Sequence, residues 1–180
     1  MSLLLALFLS SVLAGLVGAG ITILFLYLPL LWRGVYYDTL GALGTAALSR
    51  TSMPSQNSEE MARIRVVGGI FYLGGGVLFA VFYGLVALIF IAGPFPPPDY
   101  TVAFGGGLEI NFWYLLLGLV GGFGHGIFVT LITSFIVVEF HPVQAYRDEF
   151  SLVLSYLIGH TVYGVVVMFF QSQLLPLLLG

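Results

Sequence analysis

Phe112–Val138, FWYLLLGLVGGFGHGIFVTLITSFIVV, and Phe150–Phe170, FSLVLSYLIGHTVYGVVVMFF, decide how this chain folds. Neither stretch contains an Asp, Glu, Lys or Arg. Both reach the roughly 20 apolar residues that a helix needs to cross the hydrocarbon of a bilayer. Each carries one histidine at its centre: His125 lies thirteen residues from both ends of its segment, and His160 ten from both ends of its own. A short polar turn, 139–149, joins them, so the two helices run antiparallel and both imidazoles come to one depth near the bilayer midplane. Ionisable side chains are costly there, which makes both histidines candidate functional residues.

Two more spans lie upstream. The apolar run from Leu3 to about Leu31 has no basic residue before it and exceeds the 7–15 residue core of a cleaved signal peptide, so it reads as a retained helix over about 7–31. Pro29 and Trp32-Arg33 mark its exit at headgroup level. Residues 34–62 form an interfacial segment and loop. Val35, Tyr36, Leu40, Leu43 and Ala47 recur at helical spacing and predict a short helix lying in the interface. Asn57 with Glu60 three residues later predicts a capping box for the next span, 66–92. The loop that follows holds four prolines and Gly105–Gly107. After the last span, residues 171–180 form an apolar tail broken by Pro176, expected in the interface or against a partner.

Composition agrees with this reading. The chain is 59% hydrophobic and 7% charged, with a mean hydropathy of +1.09, whereas a soluble domain carries about 25% charged residues. The expected fold class is therefore all-α: a polytopic membrane protein forming a single transmembrane domain over 1–180, with spans at about 7–31, 66–92, 112–138 and 150–170. The absence of cysteine removes disulfides and thiolate metal sites. The absence of lysine removes Schiff-base chemistry and a phosphate-loop lysine. A net charge of −3 with no charged tail gives nucleic-acid binding no support. No zinc-protease helix, nucleophile elbow, phosphate loop or paired intramembrane carboxylate is present, so the chain does not read as an enzyme. Nor does any span hold a charged residue, which weakens ion-coupled transport.

Orientation follows from the five arginines. Arg33, Arg50, Arg63 and Arg65 lie in the first loop and Arg147 in the third; the second loop and the tail have none. The positive-inside rule places loops one and three in the cytoplasm and both termini outside the plasma membrane.

The chain also repeats itself. Ala14–Ala19 resembles Leu117–Gly122, and Tyr72–Ala80 resembles Tyr156–Gly164. Two helical hairpins related by a pseudo-two-fold axis along the membrane normal are expected. In that alignment His125 falls on Thr22 and His160 on Gly76, so only the second hairpin carries imidazoles. Gly118, Gly122 and Gly126 are spaced by four, as are Gly121 and His125, and such small residues let helix backbones approach closely in lipid. His160 shares a helix face with Tyr156, Tyr163 and Gly164.

Three roles compete for His125 and His160. Each neutral imidazole could hydrogen-bond a neighbouring helix, with Tyr72, Tyr83, Thr130, Tyr156 and Tyr163 on offer; such bonds are worth about 0.6 kcal/mol on average. The pair could ligate haem b, or each one a (bacterio)chlorophyll, with Tyr156 and Tyr163 in support; glycines make room for a flat macrocycle and aromatics stack on it. A small metal site is the third role, but no Asp, Glu or Cys lies nearby to complete its shell. His141, beside Pro142 in the turn, reads as an ordinary surface residue.

Gly122-Phe123-Gly124-His125-Gly126 and Leu157–Gly164, with Leu28-Pro29-Leu30 and Asp38-Thr39-Leu40-Gly41, resemble stretches of a group of small prokaryotic four-helix membrane proteins to which no activity is assigned. The resemblance spans most of the chain and implies the four-helix topology and a recurring histidine pair. The expectation for function is a non-catalytic integral membrane subunit or scaffold of a larger assembly, in contact with lipid and with other membrane subunits. The alternative is a haem- or (bacterio)chlorophyll-binding protein using His125 and His160, and the third reading is a small-molecule channel or carrier.

Overall fold

A computed structural model describes residues 1–25, 38–93, 98–104, 108–133, 140–147 and 149–180. The chain is helical, with one small hairpin. In order come α1 (Leu3–Phe25), α2 (Thr39–Ala47), α3 (Glu59–Ala92), the antiparallel strands β1 (Thr101–Ala103) and β2 (Glu109–Asn111), α4 (Phe112–Thr133) and α5 (Glu149–Leu179). Four of these helices, α1, α3, α4 and α5, are long and apolar enough to cross a membrane.

The faces of α1 show what kind of core this is. Ala6, Ser10, Ala14 and Gly18 are buried, while Leu4, Phe8, Leu13 and Leu24 point outward and are exposed. Small residues inside and large apolar ones outside reverse the pattern of a soluble helix, and suit surroundings as apolar as the side chains themselves. The small face lets α1 pack between α3 and α5. A methyl added at Gly15 would come within 2.8 Å of the Ala80 Cβ, and one at Gly76 within 2.7 Å of the Ala19 Cβ. The tightest pairing is α4 on α5. A Cβ at Gly118 would lie 2.5 Å from the Gly164 carbonyl oxygen, and one at Gly122 2.7 Å from that of His160. The glycine stripe expected to bring helices together does so here. By contrast α3 and α4, consecutive in the chain, make no extended backbone approach.

Several boundaries differ from the sequence reading. The expected exit of the first span (Pro29, Trp32, Arg33), the residues Val35 and Tyr36, and the last residues of the third span lie outside the described residues. The short interfacial helix exists as α2, but it is docked on α3: Gly44 and Gly68 place the two backbones against each other. The cap of α3 is Ser58, not Asn57. Its hydroxyl accepts from the Met61 N–H at 3.1 Å, so α3 starts about two turns before Val66. The second loop is not irregular throughout, since β1 and β2 pair from Thr101 opposite Asn111 to Ala103 opposite Glu109.

The tail is the largest correction. It continues the last helix, as α5 runs on through Pro176 to Leu179. Proline stops helices by lacking an N–H and crowding the preceding turn, but only three helical residues follow it here. Five residues before it, Gln171 ties the helix into the bundle: its Nε2 donates to Ser11 Oγ and to the Ala80 carbonyl, both at 2.9 Å.

The glycine contacts carry a direct test. Gly122 faces α5, whereas a Cβ at Gly124 meets nothing within 4 Å. Gly122→Leu is expected to lower the thermal midpoint in detergent by an amount corresponding to about 1–3 kcal/mol of overpacking, with Gly124→Leu within error of the native protein.

Candidate functional site

Because α4 and α5 pack through glycine, the histidines between those glycines are drawn together. The His125 and His160 ring centres lie 4.7 Å apart, edge to face at 77°. His160 stacks on Tyr156 (5.3 Å, 13°), and its Nδ1–H donates to the Tyr156 carbonyl at 2.7 Å. That bond stays within α5 rather than crossing to a neighbour. Tyr163, one turn on, donates its hydroxyl to the Gly76 carbonyl of α3.

His125 is different. Its ring packs on Phe79 of α3 at 3.7 Å between centres, with Tyr83 and Tyr163 at 6.1 and 6.0 Å. Both of its ring nitrogens are buried and have no hydrogen-bond partner among the described residues, and the same holds for the Tyr83 hydroxyl and the Thr130 Oγ1. A neutral imidazole carries one N–H and one lone pair in either tautomer, and a buried polar group left unpaired costs on the order of 1–3 kcal/mol. The expected interhelical hydrogen bonds of His125 are therefore not formed with the partners within reach.

Two apolar cavities meet at this ring. One, of about 780 Å³, is the groove left where α3 and α4 diverge; Phe79, Phe82 and Tyr83 form one wall and Val120, Gly121 and His125 the other. Its size lies within the roughly 300–1,000 Å³ range of small-molecule sites. The other, of about 240 Å³, lies on the far side of Phe79 and is lined by Thr22, Gly76, Tyr156 and Tyr163 together with both histidines.

This geometry separates the ligand readings. Two imidazoles bound on opposite sides of one metal, each with a metal–nitrogen distance near 2 Å, would have ring centres more than about 6 Å apart. At 4.7 Å and 77°, His125 and His160 do not fit as the two axial ligands of one haem. A single axial bond from His125 to a macrocycle in the groove is compatible with its unpartnered nitrogens. No group of three or more His, Cys, Asp or Glu able to hold a metal ion occurs among the described residues.

A second polar cluster lies at the arginine-bearing end. Asp38, buried, caps α2 by accepting from the Gly41 N–H at 2.9 Å and pairs with Arg65 Nε at 2.9 Å. His141 is not a surface residue: it is 2% exposed. Its Nδ1 lies 3.0 Å from the Val143 nitrogen and 3.1 Å from the Val143 carbonyl oxygen, and its Nε2 faces the Ala42 carbonyl at 3.0 Å. Arg147 covers the His141 carbonyl at 2.9 Å. The cluster clamps α2 and the 140–147 turn onto α3. Sequence reading missed it because the bonded residues are up to 99 positions apart. Local spacing carries no signal of such a contact.

No family model, no curated protein and no solved structure matches the chain.

Tyr146 packs edge-on against His141 in this cluster, 5.1 Å between centres. Burial, reinforced by the Asp38 carboxylate and opposed by Arg65, pushes its phenol up to about 12. The folded protein then holds this proton more tightly than the unfolded chain. Its contribution to stability is complete below pH 10 and is lost as pH rises from about 10 to about 12. In denaturant titrations, native protein should lose more stability across that window than Tyr146→Phe; parallel curves would mean the phenol titrates as it does in water.

Proposed function

We propose that this chain is a non-catalytic, multi-pass subunit of a larger assembly in the plasma membrane, with loops one and three in the cytoplasm and both termini outside. The observation that carries the reading is the groove between α3 and α4. A self-sufficient four-helix bundle would close this seam, yet Leu78, Phe82, Val120 and Phe128 stand exposed along it. Continuous helical geometry supports a static role as well: α3 passes through Gly74–Gly76 without a break, where a carrier would have an interrupted helix. The two hairpins are read as a parallel repeat. In support, Thr22 and Gly76, the repeat counterparts of His125 and His160, line the same 240 Å³ cavity as the histidines themselves.

A second reading rests on the unpartnered nitrogens of His125: a flat cofactor seated in the groove, ligated through that one ring. The two readings part experimentally. Protein extracted from its native membrane in mild detergent is expected to be colourless and to run larger than a monomer. Gly124→Trp, which projects into the groove, should collapse that assembly, while Leu4→Trp on the outer face of α1 should not. A visible absorption band abolished by His125→Ala would favour the cofactor; equal behaviour of both tryptophan variants would dismiss the groove as the assembly surface.

A further inference from the structure

At the other end of the bundle from the arginines, beneath the β1–β2 hairpin, lies a cavity of about 400 Å³. We propose that it binds a primary ammonium group, and this proposal is independent of the α3–α4 groove. Its apolar lining comes from Leu7 of α1, Ala87 of α3 and Leu175 of α5. Its polar lining comes from Thr101, Glu109, Asn111, Tyr114 and Gln173, with the buried Gln171 deepest.

The hydrogen bonds of this lining leave glutamine acceptors over. Gln171 is 3% exposed and uses its Nε2 on Ser11 and Ala80, while its Oε1 is buried with no partner. Gln173 Nε2 donates to the Glu109 carbonyl at 2.7 Å and to Ser172 Oγ at 3.3 Å, so its remaining polar atom is also an oxygen. The Ser172 hydroxyl donates to the Phe169 carbonyl at 2.7 Å. Asn111 Oδ1 is taken by the Trp113 N–H at 2.9 Å. The Glu109 side chain has no ion pair among the described residues. None can come from nearby sequence, because the chain has no lysine and no arginine between Arg65 and Arg147. Glu109, Gln171 and Gln173 thus line one cavity with two spare amide oxygens and, among the described residues, no cation to answer them.

The complement of such a lining is a cation that carries donors. An alkylammonium group offers three N–H donors and a positive charge, and its alkyl part suits the apolar residues of the lining. A trimethylammonium group has the charge but no donor, and would leave the Gln171 oxygen unpaired. The same ammonium chemistry could arrive on an ethanolamine lipid headgroup or on a free amine.

The test uses the full chain in vesicles of phosphatidylglycerol, a lipid without an amine, with Trp32→Phe so that Trp113, whose backbone N–H bonds the cavity residue Asn111, is the single tryptophan reporter. Ethanolamine and choline are titrated by Trp113 fluorescence. Retention of phosphatidylethanolamine over phosphatidylcholine is read by native mass spectrometry from mixed-lipid vesicles. Saturable binding of ethanolamine, of phosphatidylethanolamine or of both is expected, with choline at least tenfold weaker. Binding of the lipid alone identifies a headgroup site, and binding of free ethanolamine identifies a soluble-amine site. Glu109→Gln should weaken binding at least tenfold and Asp99→Asn, outside the cavity, should leave it unchanged. Equal affinity for ethanolamine and choline, equal loss in the two carboxylate variants, an unaltered Glu109→Gln, or no amine binding at all would each overturn the proposal.

Discussion

The close approach of α4 to α5 is the constraint on which the rest of the structure depends. Gly118 and Gly122 lie against the Gly164 and His160 backbone so tightly that no Cβ fits between. Where surroundings are as apolar as the side chains, helices gain little from hiding leucine from solvent, and backbone proximity with its many van der Waals contacts takes over. The same spacing of four that brings the backbones together places His125 one turn beyond Gly121 on α4. The imidazole pair, 4.7 Å apart, is a geometric consequence of the glycine contact.

From that contact an asymmetry follows. α5 is engaged on one side by α4 and on another by α1, and α1 in turn holds α3. The chain of contacts α3–α1–α5–α4 does not close, and the seam between its ends is bridged by side chains: Phe79 on His125, and Tyr83 beside Gly121. A groove bounded by aromatic rings is what remains when two backbones are held too far apart to interdigitate. Its polar groups, the His125 nitrogens and the Tyr83 hydroxyl, have no partner among the described residues, and an acyl chain could offer them nothing.

The two ends of the bundle carry opposite chemistry. At one end Arg50, Arg63 and Arg65 each meet an acidic partner (Glu60, Glu59 and the buried Asp38), and the buried Thr45 and His141 bond to each other. At the other end the cavity beneath the hairpin is lined by Glu109 and spare amide oxygens with no cation among the described residues. The first end is satisfied from within and acts as a clamp; the second is left to be satisfied from outside.

Much of the fold was legible in the sequence because hydropathy and helix length are local properties. Four helices long and apolar enough to cross a membrane, the glycine stripe of α4 and the central place of His125 and His160 in their helices follow from residue type and spacing within one segment. What only the tertiary structure decided depends on contacts between segments. His141, read as a surface residue from its place in a polar turn, is buried because Ala42 and Thr45, nearly a hundred positions away, close over it. Gln171, read as the start of an apolar tail beyond the last span, lies inside the bundle because Ser11 and Ala80 bond its amide. Which helices would leave a seam was likewise unreadable, since α3 and α4 are both apolar and glycine-bearing and differ from the packed pairs only in what stands opposite them. Periodicity reports which face of a helix is apolar or small; the partner that meets that face is chosen by the whole chain at once.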